Sequence, residues 1–253
     1  MHVEVPLFSL IVLVQESRHL LIATLDSLRC QAERRFEVLL MDGIGQGKVE
    51  EIARPYSDLA LRVQPVPAGQ SISATMNQAI ALAQGKYLQF LAPGDRYLSQ
   101  EGLSYLGKLL QAESSPPIVY SGFWMRGSEA VLVPLEKATL LKGAFPKDSW
   151  FSKQALLDLG GFDPSLKYRS AFDVLCRFFL KEGSHALCSR RILTDSQYKG
   201  LSPTGMVGYA LETYRILYRH FGLWPAIRWV FIQDHLQMLH WLGRRFKQAF
   251  WKN

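Results

Sequence analysis

The chain has 253 residues, 48% of them hydrophobic and 20% charged, which is ordinary for one globular domain or for a domain with a small appendage. Its 29 Lys and Arg against 22 Asp and Glu give a net charge of +7, which favours anionic partners such as nucleotides, phospholipid surfaces or nucleic acid without choosing among them. Three cysteines, Cys30, Cys176 and Cys188, form no C-x-x-C pair and leave one over, so neither a disulfide framework nor a zinc site is suggested and a reducing compartment is expected.

In chain order, the run FSLIVLV (Phe8 to Val14) reads as a buried strand. It is rich in Val, Ile and Leu and has no basic segment ahead of it, so it is not read as a signal peptide. No stretch approaches the roughly 18 uninterrupted apolar residues of a membrane span. Arg18 to Gln31 has helical spacing through Leu21, Leu25 and Leu28, and a strand follows at Phe36 to Met41. A helix from about Lys48 to Tyr56 and a strand near Leu61 to Val66 complete a βαβαβ pattern, which predicts a largely parallel sheet. Ile72 to Ala83 reads as a helix stopped by Gly85, and Tyr87 to Leu91 as a strand ending in the turn Pro93-Gly94-Asp95. The second half breaks the alternation, with strand-like segments at Ile118 to Trp124 and Ala130 to Val133, a Pro-Lys-Asp loop before Trp150, and helices at Lys153 to Leu159 and Ser170 to Lys181.

The turn after Met41, DGIGQGK, suggests a phosphate cradle, and spacing tests the two familiar kinds. A dinucleotide fingerprint counted from Gly43 and Gly45 puts Lys48 at its third glycine. A P-loop counted back from Gly47-Lys48 puts Asp42 at its first glycine and Val49 at its hydroxyl. Both fail. What survives is a buried strand ending in Asp42, where open α/β sheets place ligand-binding groups.

Four segments in order carry a resemblance: TLDSLRCQ (Thr24 to Gln31), a strand ending in Asp42, ATMNQAIALAQGKYLQFLAPGD running into Asp95, and GGFD (Gly160 to Asp163) ahead of SLKYRSAFDVLCRF. Together they resemble family 2 glycosyltransferases of the A-type fold over most of Phe8 to Ser202. The resemblance implies an α/β, Rossmann-like domain at 1–205, a single mainly parallel sheet flanked by helices, with a C-terminal helical extension at 206–253. It implies transfer of a sugar, with inversion, from a nucleoside diphosphate donor to a glycan or lipid-linked acceptor, as in cell-surface polysaccharide synthesis.

That chemistry puts growing negative charge on a leaving diphosphate, which a divalent cation, Mg²⁺ or Mn²⁺, held by a carboxylate can stabilise. The resemblance assigns Asp95 to the metal and diphosphate, Asp42 to the nucleoside, and Asp173 to the acceptor proton. Each has a plainer alternative. Asp42 and Asp95 could be turn aspartates bonded to their own backbone, and Asp173 could form a helix ion pair with Arg177. Asn77, in mid-helix, is expected to pack or to position the helix.

The chain also departs from the family pattern. LVQES follows the first strand, GIGQG the second, and Ala74 and Gly94 stand at positions that usually carry acids. Lys147-Asp148 stands where His-Gln is usual, leaving Asp148 or Asp173 as candidate base and backbone N–H groups of the glycine turn as candidate phosphate or ribose donors. These losses support a second expectation, a glycosyltransferase-like domain without activity that binds or scaffolds a partner.

Beyond Met206 two helical segments, Val207 to His220 and about Ala226 to Phe250, are expected to split at Pro225. In the second, Ile227, Phe231, Met238, Leu239, Leu242 and Phe246 share a face, with Gln and basic residues opposite and Trp224, Trp229, Trp241 and Trp251 spread around. Such a helix could pack on the core, on a second copy in a homo-oligomer, or through 226–250 on an anionic inner membrane surface. The expected location is therefore cytoplasmic, peripheral at that surface. No nucleic-acid motif accompanies it, and nucleic acid is not expected as a partner.

Overall fold

The computed structural model describes residues 5–15, 18–113, 115–125, 130–196 and 202–231. In chain order the elements are β1 (Phe8–Val14), α1 (Leu21–Arg29), β2 (Phe36–Asp42), α2 (Lys48–Ala53), β3 (Leu61–Pro65), α3 (Ile72–Leu82), β4 (Tyr87–Leu91), β5 (Arg96–Tyr97) and α4 (Gly102–Ala112). Then follow β6 (Ile118–Met125), α5 (Lys137–Leu140), β7 (Asp148–Ser152), α6 (Lys153–Asp158), α7 (Ser170–Glu182), β8 (Leu187–Ser196), α8 (Pro203–Phe221) and α9 (Leu223–Trp229).

Among the described residues the strands form one eight-stranded sheet in the order β3-β2-β1-β4-β7-β6-β8-β5. The half β3-β2-β1-β4 is parallel throughout, as the βαβ alternation predicts. The other half is mixed. β7 enters between β4 and β6 antiparallel to both, β8 runs parallel to β6, and the short β5 is antiparallel to β8. The sheet is thus mixed rather than purely parallel, with four of its seven pairings parallel. β7, α4 and β8 are absent from the sequence expectation. In β7 (DSWFS) polar residues at Asp148, Ser149 and Ser152 hide a strand that is buried at four of its five positions. Val131, expected within a strand, forms only an isolated bridge with Phe123.

Period-two alternation sends each strand's side chains to two separate cores. Phe8, Leu10, Val12 and Val14 of β1 join Val38 and Leu40 of β2 and the Leu21, Leu25 and Leu28 face of α1. Ile11, Leu39 and Met41 point to the other face, under Met76 and Ile80 of α3, Phe172 and Leu175 of α7, and Ile216 and Leu217 of α8. Each fully buried Leu or Ile contributes about 1.5–3 kcal/mol, so both faces of the sheet are strongly held. The break after α8 falls at Gly222 (φ +90°) rather than at Pro225, which instead sits in the first turn of α9, where its missing N–H costs no helix bond. Ala226 and Trp229 of α9 are buried in the α3-side core, and the Trp229 indole N–H donates to Lys142 O at 3.2 Å. The rest of the expected helix 226–250 lies largely outside the described residues.

The backbone crossing between α3 and β4 is tied by Glu37 of β2. Its Oε1 accepts from Ser9 Oγ (2.6 Å) and from the backbone N–H of Gln84 and Gly85, and its Oε2 from Arg62 (2.6 Å). Gly85 is required here by space, since a Cβ would stand 2.5 Å from the Phe8 carbonyl carbon and Ser9 N. This anchors the tip of β1 against β4 and so sets the register of the strands whose opposite ends form the site.

Candidate functional site

A cleft of about 410 Å³ opens at the carboxyl ends of β1 and β4, the edge where open α/β sheets bind ligands. Its lining includes Gln15, Ala92, Asp95, Lys147 and Ser149 together with the apolar Phe145, Phe162 and Leu175. Most of the wall is apolar. Phe90 meets Phe162 edge-on at 5.1 Å, giving the cleft an aromatic surface.

Asp95 lies on this cleft and is only 6% exposed. It also closes its own turn: Oδ2 accepts from Ala92 N–H (3.0 Å) and Oδ1 from Ser196 Oγ at the end of β8 (2.9 Å). The turn explains why the preceding residue is not an acid. Gly94 has φ +101°, where side chains are strained, and its N–H donates to the buried Thr24 Oγ1 at 2.8 Å. Thr24 belongs to the TLDSLRCQ segment, and so do two further tethers. Ser27 Oγ accepts from Tyr97 N–H (3.2 Å), while Gln31 donates to Ser99 O (2.8 Å) and accepts from Leu103 N–H (3.1 Å). Thr24 and Ser27, three apart on one face of α1, and Gln31 just beyond its end together hold the 94–103 segment in which Asp95 is set.

Asp42 is brought to the neighbouring strand tip, outside the cleft lining, and is buried. Its Oδ1 accepts from the backbone N–H of Ile44 (2.8 Å) and Gly45 (2.9 Å). The carboxylate therefore serves the turn, and it takes up two of the N–H groups considered as phosphate donors. Gly45, Gln46 and Gly47 follow with φ of 72°, 65° and 69°. The glycines at 45 and 47 are thus explained by left-handed backbone.

Asp173 is not brought to the cleft. Ala171 and Leu175 of α7 face it, and Asp173 lies about 200° around the helix from Ala171. It is 1% exposed and bonded to Arg177 Nε (2.8 Å) and His220 Nε2 (2.8 Å), with Arg219 at 3.8 Å. Burial alone would raise its carboxyl, but His220 and Arg177 outweigh burial and hold it below the ordinary carboxylate range. Arg177 in turn donates to the carbonyls of Leu159 and Gly161. The helix ion pair weighed from the sequence is present, extended into a brace between α7, α8 and the GGFD turn. Asn77 grips the same turn, with Nδ2 donating to Phe162 O and Oδ1 accepting from Phe162 N–H, both at 2.8 Å. A Cβ on Gly161 would stand 2.5 Å from Asn77 Oδ1. Asn77 thus positions Phe162, a wall of the cleft.

Asp148 also points away from the cleft lining, into the sheet. Oδ1 accepts from Gln89 of β4 (2.8 Å), and Oδ2 from Ser121 of β6 (2.8 Å) and Thr194 of β8 (2.7 Å). Burial pushes its carboxyl up to about 6 against the pull of these three bonds, and the negative charge of Asp95 adds to the rise. Lys147, next in chain, projects to the cleft and donates to Ser196 Oγ, the same hydroxyl that donates to Asp95. Neither Lys147 nor Ser196 was assigned a role from the sequence. Ser196 lies 101 residues from Asp95, and only sheet pairing joins them.

These residues do not assemble the ligand set of a protein-held divalent ion. Among the described residues no three of His, Cys, Asp and Glu cluster to hold a metal. Asp95 is the one carboxylate on the described lining, both of its oxygens accept protein hydrogen bonds, and a lysine ammonium shares its Ser196 partner. A hard cation favours several oxygen ligands and is disfavoured beside a fixed positive charge.

Residues 9–106 match the family model described as glycosyl transferase family 2. No curated protein matches the sequence significantly. The fold is shared with S. aureus TarS 1-349 (TM-score 0.68, 17% identity), over 84% of this chain and 66% of that one. The same TarS segment solved in complex with UDP-GlcNAc aligns with TM-score 0.68 and 16% identity, over 84% and 67% of the two chains. The mannosyltransferase PcManGT from Pyrobaculum calidifontis, solved with GDP-Man and Mn²⁺, aligns with TM-score 0.64 and 17% identity over 89% of this chain and 65% of its own. The chain thus spans about two thirds of the length of these structures, and at such identities the likeness establishes the A-type glycosyltransferase fold.

Proposed function

We propose that this chain, a member of glycosyl transferase family 2, takes a sugar from a nucleoside diphosphate donor and passes it, with inversion, to a glycan or lipid-linked acceptor in surface polysaccharide synthesis. The observation that carries the reading is Asp95. It stands in the cleft at the carboxyl end of the parallel half-sheet, held there by the polar face of α1. The donor's diphosphate belongs beside Gln15 and Asp95, and the acceptor along Phe145, Phe162 and Leu175, whose ring faces suit the C–H faces of a sugar or an isoprenoid chain. No step is assigned to Asp173, because its carboxylate is spent on the α7–α8 brace. The glycine turn offers Asp42 no free run of N–H donors for a phosphate either. Those two commitments favour the second reading, a binding domain without activity.

Thermal shift with uridine, guanosine and thymidine diphosphates separates the two. Saturation at about a hundredfold over Kd is expected to raise Tm by about 5 °C or more. A flat response to all three would leave the scaffold reading in possession.

The same proposal places the protein at an anionic bilayer. Val207, Leu211 and Tyr218 are exposed along α8 while Tyr214, Ile216 and Leu217 pack toward the core, and Leu223 and Trp224 (79% exposed) add exposed apolar surface. Exposed Arg215 and Arg228 lie on the same two helices. No helix among the described residues is long and apolar enough to cross a membrane, so the attachment proposed is to the surface. Vesicles rich in anionic lipid should co-sediment the chain at low salt and release it at high salt, with Trp224→Ser weakening the binding. Failure of the unmodified chain to sediment at low salt would refute surface docking.

A further inference from the structure

We infer that the side chain of Lys147 binds the donor's diphosphate directly, in the role a divalent ion takes where the protein supplies several acids. The inference rests on the nucleotide-donor reading above and goes beyond it by naming the cation. Three observations support it. Alternation along the start of β7 turns Asp148 into the sheet, where side chains of β4, β6 and β8 grip it, and so fixes Lys147 and Ser149 on the cleft side. Lys147 is exposed, and its partners are neutral: the Ser196 hydroxyl and the face of Phe123 at 5.8 Å. The ammonium can therefore exchange that hydroxyl for a phosphate oxygen without giving up a salt bridge. On the described lining Lys147 is the one cationic side chain, and the walls around it are largely apolar, which strengthens an ion pair relative to open water.

Asp95 then takes a positioning role. Through Ser196 it orients the ammonium, so that a Lys147–Ser196–Asp95 line runs from the β7 rim to the β4 tip. A diphosphate seated beside Asp95 meets a like charge there, and the lysine offsets it.

The test is isothermal titration of uridine, guanosine and thymidine diphosphates into the full chain, in excess EDTA and again with Mn²⁺, using wild type, Lys147→Met and Lys147→Arg. Because Lys147 is exposed, both variants should melt with the wild type when unliganded. The expected result is that at least one diphosphate binds wild type in EDTA, that Lys147→Met weakens it by about tenfold or more, and that Lys147→Arg restores most of the loss. Binding that appears only with Mn²⁺ and is equal in Lys147→Met overturns the inference while leaving the nucleotide reading intact. If wild type binds no diphosphate under either condition, the inference and that reading fall together.

Discussion

Replacing Asp173 by alanine should lower the stability of the fold by about 3 kcal/mol, the low end of the cost of breaking a buried ion pair. The carboxylate is 1% exposed, and its removal strands His220, which is nearly buried, together with Arg177. Arg177 keeps its bonds to the Leu159 and Gly161 carbonyls and so cannot swing out to water without releasing the GGFD turn. The lower figure is appropriate because Arg177 and Arg219 retain 24% and 40% side-chain exposure. Urea denaturation measures the change. The pH dependence carries the sign: the folded carboxyl is depressed, so its stabilisation is present above the unfolded value near 4 and fades as pH falls below it. A catalytic base at this position predicts the opposite pattern, with unchanged stability and a lost rate.

Asp148 should show the reverse pH dependence. Its folded carboxyl sits at about 6 against an ordinary 3.8, so the folded state binds the proton more tightly than the unfolded state does. Its contribution is therefore greatest below pH 4, declines as pH rises, and has fully declined once pH passes 6. A shift of this size corresponds to about 3 kcal/mol. Asp148→Asn keeps an acceptor for Gln89, and the hydroxyls of Ser121 and Thr194 can turn to accept from its amide. The stability difference between variant and wild type should then move by about 2–3 kcal/mol in favour of the variant between pH 4 and pH 7, read from denaturation midpoints at matched ionic strength. Asp148→Leu leaves the Gln89 amide and the Thr194 hydroxyl buried without this acceptor, while Ser121 keeps the Gly122 carbonyl, and at about 1–3 kcal/mol each it should cost at least about 2 kcal/mol at any pH. A parallel pH profile for wild type and Asp148→Asn would show that the carboxylate is already ionised and well solvated.

The two aspartates illustrate how far linear reading reaches. Spacing on α7 exposes the Asp173–Arg177 pair, because four residues make one helical turn. It does not reveal His220 or Arg219, which arrive 47 and 46 positions later on α8. Asp148 sits in a stretch that reads as loop, and its partners Gln89, Ser121 and Thr194 come from three other strands, so nothing local marks it as the tie of the mixed half-sheet. Thr24, Ser27 and Gln31 lie between. Their order is visible as a motif, but their purpose, holding the backbone of 94–103, depends on β5 and α4 folding against α1.

By itself the sequence determines the parallel half of the sheet, since apolar runs such as FSLIVLV alternate with helical spacing at distances that only right-handed crossovers can satisfy. It also determines that Asp42 and Asp95 stand at strand ends, because residue order along a strand needs no partner to be read. Tertiary structure alone decides which of these carboxylates faces a cleft. That choice turns on what else fills each one's hydrogen-bonding capacity: turn N–H groups for Asp42, Arg177 of α7 and His220 of α8 for Asp173, three strands for Asp148. Lys147 reaches the site for the same reason, since the antiparallel entry of β7 between β4 and β6 sets its side chain beside a serine and an aspartate remote in sequence. Burial and pairing are properties of the assembled sheet, and they separate the acid at the cleft from those that brace the frame.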